Sequence, residues 1–70
     1  MSNTPEEIGQ LIRITRKKKQ LTQKELGAKM GVSESAVNKL ESGTRSLTVQ
    51  TLKKVTEALG VKLCILFEEA

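Results

Sequence analysis

The sequence lacks histidine altogether and contains a single cysteine, Cys64. With so few nitrogen and sulfur ligands, it offers no metal site of ordinary spacing and no cysteine–histidine nucleophile. One cysteine also excludes a disulfide within the chain. Because the carboxylates are not paired in a pattern that would form a catalytic cleft, the sequence does not predict an enzyme, and it predicts neither a cofactor nor a metal ion.

Long apolar runs are missing as well. No stretch approaches the ~20 apolar residues of a membrane-spanning helix. The start of the chain, MSNTPEE, is acidic and lacks the basic and then apolar order of a signal peptide. These absences predict a cytoplasmic protein with no membrane partner. The sequence contains no repeat, low-complexity tract or linker, so we expect one domain over residues 1–70.

Positive charge is in excess. Twelve Lys and Arg against eight Asp and Glu give a net charge of +4, which suits an anionic partner. Five of the basic residues cluster between positions 13 and 19. One interpretation is that they complement the negative end of a helix dipole and stay solvated. The other is that they form a patch, including Lys17, that faces DNA phosphates.

The centre of the sequence predicts two short helices joined by a tight turn. Thr22 and Glu25 have the spacing of a capping box, which predicts that a helix begins at Gln23. Gly31 ends that helix, because glycine adopts the left-handed backbone conformation without steric cost. The first helix of the pair is therefore expected over residues 23–30.

A second helix is expected over residues 34–42, after Ser33 as N-cap and before a stop at Gly43. So short a connection fixes the angle between the two helices and defines a helix-turn-helix motif. The exposed face of the second helix carries Ser33, Glu34, Ser35, Asn38, Lys39 and Ser42. These side chains are short or hydrogen-bonding, and such a face fits the major groove of B-DNA.

Two further helices flank the motif. Thr4 as N-cap, followed by proline at the first helical position, predicts a helix over about residues 5–19. Thr48 and Gly60 bound a fourth helix over residues 49–59. The expected fold is therefore mainly α, with four helices built around the helix-turn-helix motif.

The tail over residues 61–67, VKLCILF, predicts a β-strand because its apolar residues alternate. The alternating residues are Val61, Leu63, Ile65 and Phe67. No second strand is predicted, and a lone strand leaves its backbone groups unpaired. The expected partner is the same strand of a second copy, which gives a two-fold homodimer with these four residues in its interface. The alternative is a short fifth helix that completes a monomeric bundle.

Several short motifs carry a family resemblance. They are Leu21-Thr22-Gln23, Glu25-Leu26-Gly27, Gly31-Val32-Ser33, Val37, Leu40-Glu41-Ser42-Gly43, Thr51-Leu52 and Ala58-Leu59-Gly60. Together they resemble the lambda-repressor-like (Cro and Xre type) helix-turn-helix domains, from about residue 8 to residue 60. The resemblance implies that the second motif helix lies in the major groove of double-stranded DNA, and that Arg16 and Glu41 form a buried ion pair.

The same resemblance assigns roles to individual residues. It implies that the base-facing residues are Ser33, Glu34, Ser35, Asn38 and Lys39. It implies that the phosphate-facing residues are Gln23, Ser42, Gly43, Thr44, Arg45 and Ser46. Among the base-facing residues, Lys39 suits guanine O6 and N7, whereas Asn38 suits adenine. Glu34 either accepts from cytosine N4 or only favours the N-terminus of its helix.

The sequence thus predicts a sequence-specific transcriptional regulator, a dimeric repressor that reads a near-palindromic operator. Repression is expected because the chain offers little beyond a DNA-binding domain with which to contact polymerase or sense a ligand. An alternative follows from the resemblance, since similar domains that end in a strand act as antitoxins, bind a protein toxin and regulate their own operon. A third possibility is a domain that bridges other proteins and binds DNA without specificity.

Overall fold

The computed structural model describes residues 4–45 and 47–64, and this part of the chain contains four α-helices. They are α1 (Pro5–Lys18), α2 (Gln23–Met30), α3 (Glu34–Ser42) and α4 (Val49–Leu59). The first helix ends one residue earlier than the sequence predicts. In the described residues, no helix has the length and apolar character required to cross a bilayer.

A hydroxyl side chain caps the N-terminus of each of these helices. The hydroxyl oxygens of Thr4, Thr22, Ser33 and Thr48 accept hydrogen bonds of 3.0–3.1 Å from the amide three residues further on. Only α2 has the full capping box, in which the Thr22 amide also donates to Glu25 Oε1 at 2.9 Å. These local bonds replace helical partners that the first turn lacks, so the helix starts follow from sequence.

The helix ends differ from one another in one respect. Left-handed glycines follow α2, α3 and α4, whereas the turn after α1 places Gln20 in the left-handed region at φ 59°. The amide of Gln20 donates to the Lys17 carbonyl, and the amide of Leu21 donates to the Arg16 carbonyl. These bonds close the end of α1 and lead the chain directly into α2.

The core lies between the helices and consists of aliphatic side chains. Both α1 and α2 pack against α3, while α4 packs against α2 and, less closely, against α1. The buried core residues are Ile12, Leu26, Val37, Leu40, Val55 and Leu59. Since α3 buries Val37 and Leu40 in this core, its opposite face is left exposed.

Two glycines allow backbones to approach within the motif and across it. A Cβ atom at Gly27 would lie 2.7 Å from the carbonyl oxygen of Val32, just after the α2–α3 turn. A Cβ atom at Gly9 would overlap the carbonyl oxygen of Glu41 and lie 2.6 Å from that of Leu40. Helix α1 therefore crosses the C-terminal half of α3 at Gly9, a role that the sequence did not reveal.

The prediction of a C-terminal strand is wrong. The described residues contain no strand, and residues 61–64 have no regular secondary structure. The amide of Val61 closes the end of α4 by donating to the Thr56 carbonyl at 3.0 Å. A strand needs a neighbour for its backbone groups, and the described part of this chain supplies none.

The apolar pattern of the tail has another physical reason. Val61 and Leu63 line a groove beside α1 and α4, so packing against helices accounts for their apolar character. The predicted pairing of strands across a homodimer is therefore wrong as well. Ile65 and Phe67, the other two residues of the predicted interface, lie outside the described residues.

Candidate nucleic-acid interface

The α2–α3 turn holds the motif in a fixed geometry. Gly27 is buried, and its carbonyl accepts a 2.8 Å hydrogen bond from the Val32 amide. Ser33 then caps α3 only two residues after Gly31. As the sequence predicts, the side chains of Ser33, Glu34, Ser35, Asn38, Lys39 and Ser42 are all exposed. The turn thus presents one polar face of α3 to solvent.

The start of α2 adjoins this exposed face. Gln23, Glu34, Ser35 and Asn38 together line one shallow depression. The side-chain nitrogen Nε2 of Gln23 donates to Asn38 Oδ1 at 3.4 Å and to Glu41 Oε1 at 3.2 Å. The structure therefore brings Gln23 next to three predicted base-facing residues, with its amide nitrogen directed toward α3.

The loop after α3 is ordered by its own hydrogen bonds. The carbonyl of Lys39 accepts from the Thr44 amide at 3.1 Å and from Ser42 Oγ at 3.1 Å. The hydroxyl oxygens of Ser42 and Thr44 are 3.0 Å apart. Arg45 is exposed, whereas Ser46 lies outside the described residues. The predicted phosphate-facing residues from position 42 to position 45 therefore follow directly from the exposed face of α3.

A buried ion pair joins α1 to α3 behind this surface. Arg16 Nε donates to Glu41 Oε2 at 2.6 Å, and Nη2 donates to Oε1 at 3.1 Å. The third nitrogen, Nη1, donates to the Leu21 carbonyl at 2.8 Å. The hydrogen bonds to Glu41 raise the pKa of Arg16 above its ordinary value. The structure thus contains the contact that the resemblance implied, and it fixes the end of α1 against α3.

Lys17 is exposed in the last turn of α1. No hydrogen bond or ion pair within the described residues links it to the motif. Its position satisfies both interpretations drawn from the sequence, because a cation at a helix C-terminus complements the dipole whether or not DNA is bound.

An apolar groove forms a second surface feature, and no residue of α3 lines it. Leu11 on α1 is 63% exposed along this groove, and Val61 in the tail is 38% exposed. Leu52 and Leu59 of α4 line the groove as well, together with Leu63. Two of the predicted interface residues, Val61 and Leu63, therefore share one apolar surface with α1 and α4.

Comparison with known proteins identifies the family. A helix-turn-helix family model of the Xre and lambda-repressor-like type matches residues 12–66, which is most of the chain. The chain belongs to this family. The family consists of DNA-binding transcriptional regulators.

Named relatives agree with this assignment. The HTH-type transcriptional regulator SlrR of Bacillus subtilis is 42% identical over 62 residues, which cover 87% of this chain and 41% of SlrR. Multiprotein-bridging factor 1 of Candida albicans is 41% identical over 56 residues, which cover 80% of this chain and 37% of that protein. The chain therefore spans less than half the length of either relative.

Solved structures share the helical arrangement. The restriction-modification controller protein C.AhdI from Aeromonas hydrophila superposes with a TM-score of 0.79 at 29% identity, covering 83% of this chain and 84% of C.AhdI. HipB, in a structure named as a complex with an O2 20mer, gives a TM-score of 0.80 at 19% identity, covering 99% and 96%. The likeness to HipB shows the fold alone.

Sequence reasoning missed how the side chain of Gln23 is used. It assigned that side chain to a phosphate, whereas both of its hydrogen bonds in the structure run to α3. The partners lie 15 and 18 residues away along the chain, so no local spacing indicates them. The available signal was chemical: an amide at the start of α2 lies near a buried carboxylate that Arg16 leaves partly unsatisfied.

Proposed function

We propose that this chain is a dimeric, sequence-specific regulator of transcription that binds a near-palindromic operator in double-stranded DNA and represses it. The exposed polar face of α3 is the observation that carries this proposal, because the core on one side and the capped turns at both ends hold it rigidly. Such a helix fits the major groove, where each base pair presents a distinct pattern of donors and acceptors. Repression requires only that the protein occupy its operator.

Base recognition is assigned to the exposed residues of α3. In this proposal Ser33, Glu34, Ser35, Asn38 and Lys39 face base edges. Lys39 donates to guanine O6 and N7, since an ammonium group is a donor without acceptors. Glu34 lies in the first turn of α3, where it accepts from cytosine N4 or only favours the positive end of the helix.

Phosphate contacts are assigned to the loop after α3 and to the start of α2. The proposed phosphate-facing residues are Lys17, Ser42, Gly43, Thr44 and Arg45, with Ser46 outside the described residues. Gln23 approaches the same backbone with the main chain at the start of α2, because its side-chain nitrogen is bonded to Asn38 and Glu41. These contacts position the protein and carry no sequence information of their own.

Dimerisation is assigned to the apolar groove between α1, α4 and the tail, including Val61 and Leu63. A second copy that covers this groove would remove the exposed side chain of Leu11 from water. A two-fold arrangement uses the same surface on both copies. It would place two α3 helices in successive major grooves about 34 Å apart, which predicts a palindromic site.

Selection from a randomised duplex library by the purified protein, at roughly physiological salt, tests the function. Non-specific binding is weak under these conditions. Enrichment of a palindrome with half-sites about 10 base pairs apart is expected. Failure to enrich any sequence would contradict specific DNA binding, and enrichment of a single half-site would contradict the dimer.

Two lysine and arginine variants separate base contacts from phosphate contacts in the same assay. Lys39→Ala should relax the preference at one base pair per half-site, whereas Arg45→Ala should weaken all DNA binding about equally and lower the salt slope by about one. Lys53→Ala, an exposed lysine of α4, is the matched control and should change neither. An unchanged site preference in Lys39→Ala would remove this residue from the base-facing set.

A second candidate is the antitoxin of a toxin–antitoxin pair, which would bind a protein toxin and regulate its own operon. The apolar groove favours it, because a chain of another kind can cover an exposed apolar surface as well as a second copy does. The mass of the purified chain by light scattering distinguishes the two. A dimer supports the assignment of the groove to a second copy, and a monomer at micromolar concentration supports a different partner.

A further inference from the structure

We propose that Gln23 is a positioning residue that fixes the side-chain amide of Asn38 with its nitrogen outward. Asn38 then acts as a donor in the major groove and selects a keto base, guanine or thymine, over an amino base, adenine or cytosine. This inference rests on the proposed function and specifies the contact that one residue of α3 makes.

The orientation begins at the buried carboxylate of Glu41, which is only 4% exposed. An ionised carboxylate accepts hydrogen bonds and donates none. Arg16 donates to both of its oxygens, and Oε1 has capacity for a further donor. Gln23 must therefore direct its nitrogen, not its carbonyl oxygen, toward Glu41, and the observed Nε2–Oε1 distance is 3.2 Å.

The second hydrogen of the same nitrogen determines the orientation of Asn38. Because Gln23 presents a donor on this side, Asn38 must present its carbonyl oxygen, and Oδ1 lies 3.4 Å from Gln23 Nε2. The NH₂ group of Asn38 is then left on the other branch of its amide. A hydrogen-bonded path thus carries the polarity of Glu41 through Gln23 to an exposed residue of α3.

The bases distinguish an outward NH₂ group from an outward carbonyl. Guanine offers acceptors at both N7 and O6, and thymine offers O4, whereas adenine and cytosine present amino donors at the corresponding positions. A free asparagine can turn its amide over and bind adenine through both groups. The tethered Asn38 has its carbonyl oxygen engaged by Gln23, so the adenine contact predicted from sequence is disfavoured.

Library selection with variants of Gln23 tests the inference. The wild-type protein is expected to prefer a keto base over an amino base by about tenfold at one position of each half-site. Gln23→Met keeps a similar volume but removes both donors, and should reduce this preference to less than about twofold while other positions are unchanged. Gln10→Met, at an exposed glutamine of α1, is the matched control and should retain the wild-type profile.

A donor-only replacement separates positioning from general structure. An ammonium group can donate to both Glu41 and Asn38 and cannot present an acceptor, so Gln23→Lys should restore most of the keto preference. Asn38→Asp presents only acceptors and should shift the preferred base from keto to amino. Melting curves of each variant identify any loss of folding, and the base preference is read only from folded protein.

The outcomes are distinguishable from failure of the proposed function. If the wild-type protein enriches no sequence, specific DNA binding fails and this inference fails with it. If the wild type enriches an operator but Gln23→Met shows the same keto preference, the function stands and the positioning role is overturned. A wild-type preference for adenine at the position altered by Asn38→Asp would also overturn it.

Discussion

Three side-chain nitrogens donate to the carboxylate of Glu41, two from Arg16 and one from Gln23. At the scale of single residues, this concentration of donors makes burial of the charge tolerable, because each lone pair of the carboxylate that points inward meets a proton. In the described residues, no buried side-chain nitrogen or oxygen lacks a partner. The buried pair therefore joins α1 to α3 without an unsatisfied group.

Removal of the arginine should be strongly destabilising. Arg16→Ala leaves the buried Glu41 without its cation, and loss of one partner of a buried pair typically costs about 3–5 kcal/mol of the free energy of unfolding. Arg13→Ala, at an exposed position of the same helix, should change it by less than about 0.5 kcal/mol. Urea denaturation at one protein concentration measures both. Equal midpoints for Arg16→Ala and wild type would show that the pair contributes nothing.

A methyl group at position 9 should also be destabilising, although alanine favours helices by about 1 kcal/mol over glycine. In Gly9→Ala, the new Cβ would lie 2.6 Å from the Leu40 carbonyl oxygen. Backbone oxygen cannot rotate away, so α1 must shift from α3, and we expect a net loss of about 1–2 kcal/mol. Gln10→Ala, exposed on the next residue, is the control for helix propensity. Thermal unfolding of Gly9→Ala at or above the wild-type midpoint would contradict the close crossing.

At the scale of secondary-structure elements, each helix carries its own start signal. The capping box of α2 is the most complete of them, with hydrogen bonds in both directions between Thr22 and Glu25. The bond donated by the Thr22 amide, together with the positive charge of Lys29, lowers the pKa of Glu25 below its ordinary value. The charged carboxylate is therefore bound more strongly in the folded state than in the unfolded one.

This lowered pKa predicts a pH dependence of stability with a definite sign. A group whose pKa is lower in the folded state contributes stability above its unfolded pKa, and this contribution is lost as the pH falls through the folded pKa. Wild type should therefore lose more stability than Glu25→Gln between pH 7 and the acid region below the ordinary glutamate value of 4.5. Glu57→Gln, at an exposed glutamate of α4, is the control. Urea midpoints measured against pH should show parallel curves for Glu25→Gln and wild type only if the capping bond is absent.

At the scale of the whole molecule, the helices bury a small core and leave an apolar groove. Six aliphatic side chains form the buried cluster, while Leu11 remains 63% exposed beside it. Domains of about 60 residues bury only about 60% of their unfolded surface, so further burial by a second copy would add appreciably to stability. The groove is therefore the surface on which oligomeric state should depend.

A polar substitution in the groove should dissociate the proposed dimer. Leu11→Gln places an amide in a surface that a second copy would have to desolvate, at a cost of about 1–3 kcal/mol on each side. The mass from light scattering should fall from dimer to monomer at micromolar concentration, with weaker binding to a palindrome. Ile14→Gln is the matched control, because Ile14 is 51% exposed on the same helix but does not line the groove. Loss of the dimer in both variants would place the interface elsewhere.

Residues close together in the sequence were predictable at the site as well as in the fold. The exposed face of α3 follows from Ser33, Val37 and Leu40, because one cap and two buried positions fix the rotation of a short helix. The tail was not predictable in this way. Alternating apolar residues indicate a strand when a sheet is present, but here Val61 and Leu63 line a groove beside helices.

The sequence by itself determined where each helix begins and ends, since caps and glycine stops act within three or four residues. Only the tertiary structure decided what Gly9 and Gln23 do. Gly9 matters because a carbonyl of another helix approaches it, and Gln23 because its partners lie 15 and 18 residues away. Contacts of that kind depend on how rigid helices pack against each other, and packing is set by the whole core rather than by any local pattern.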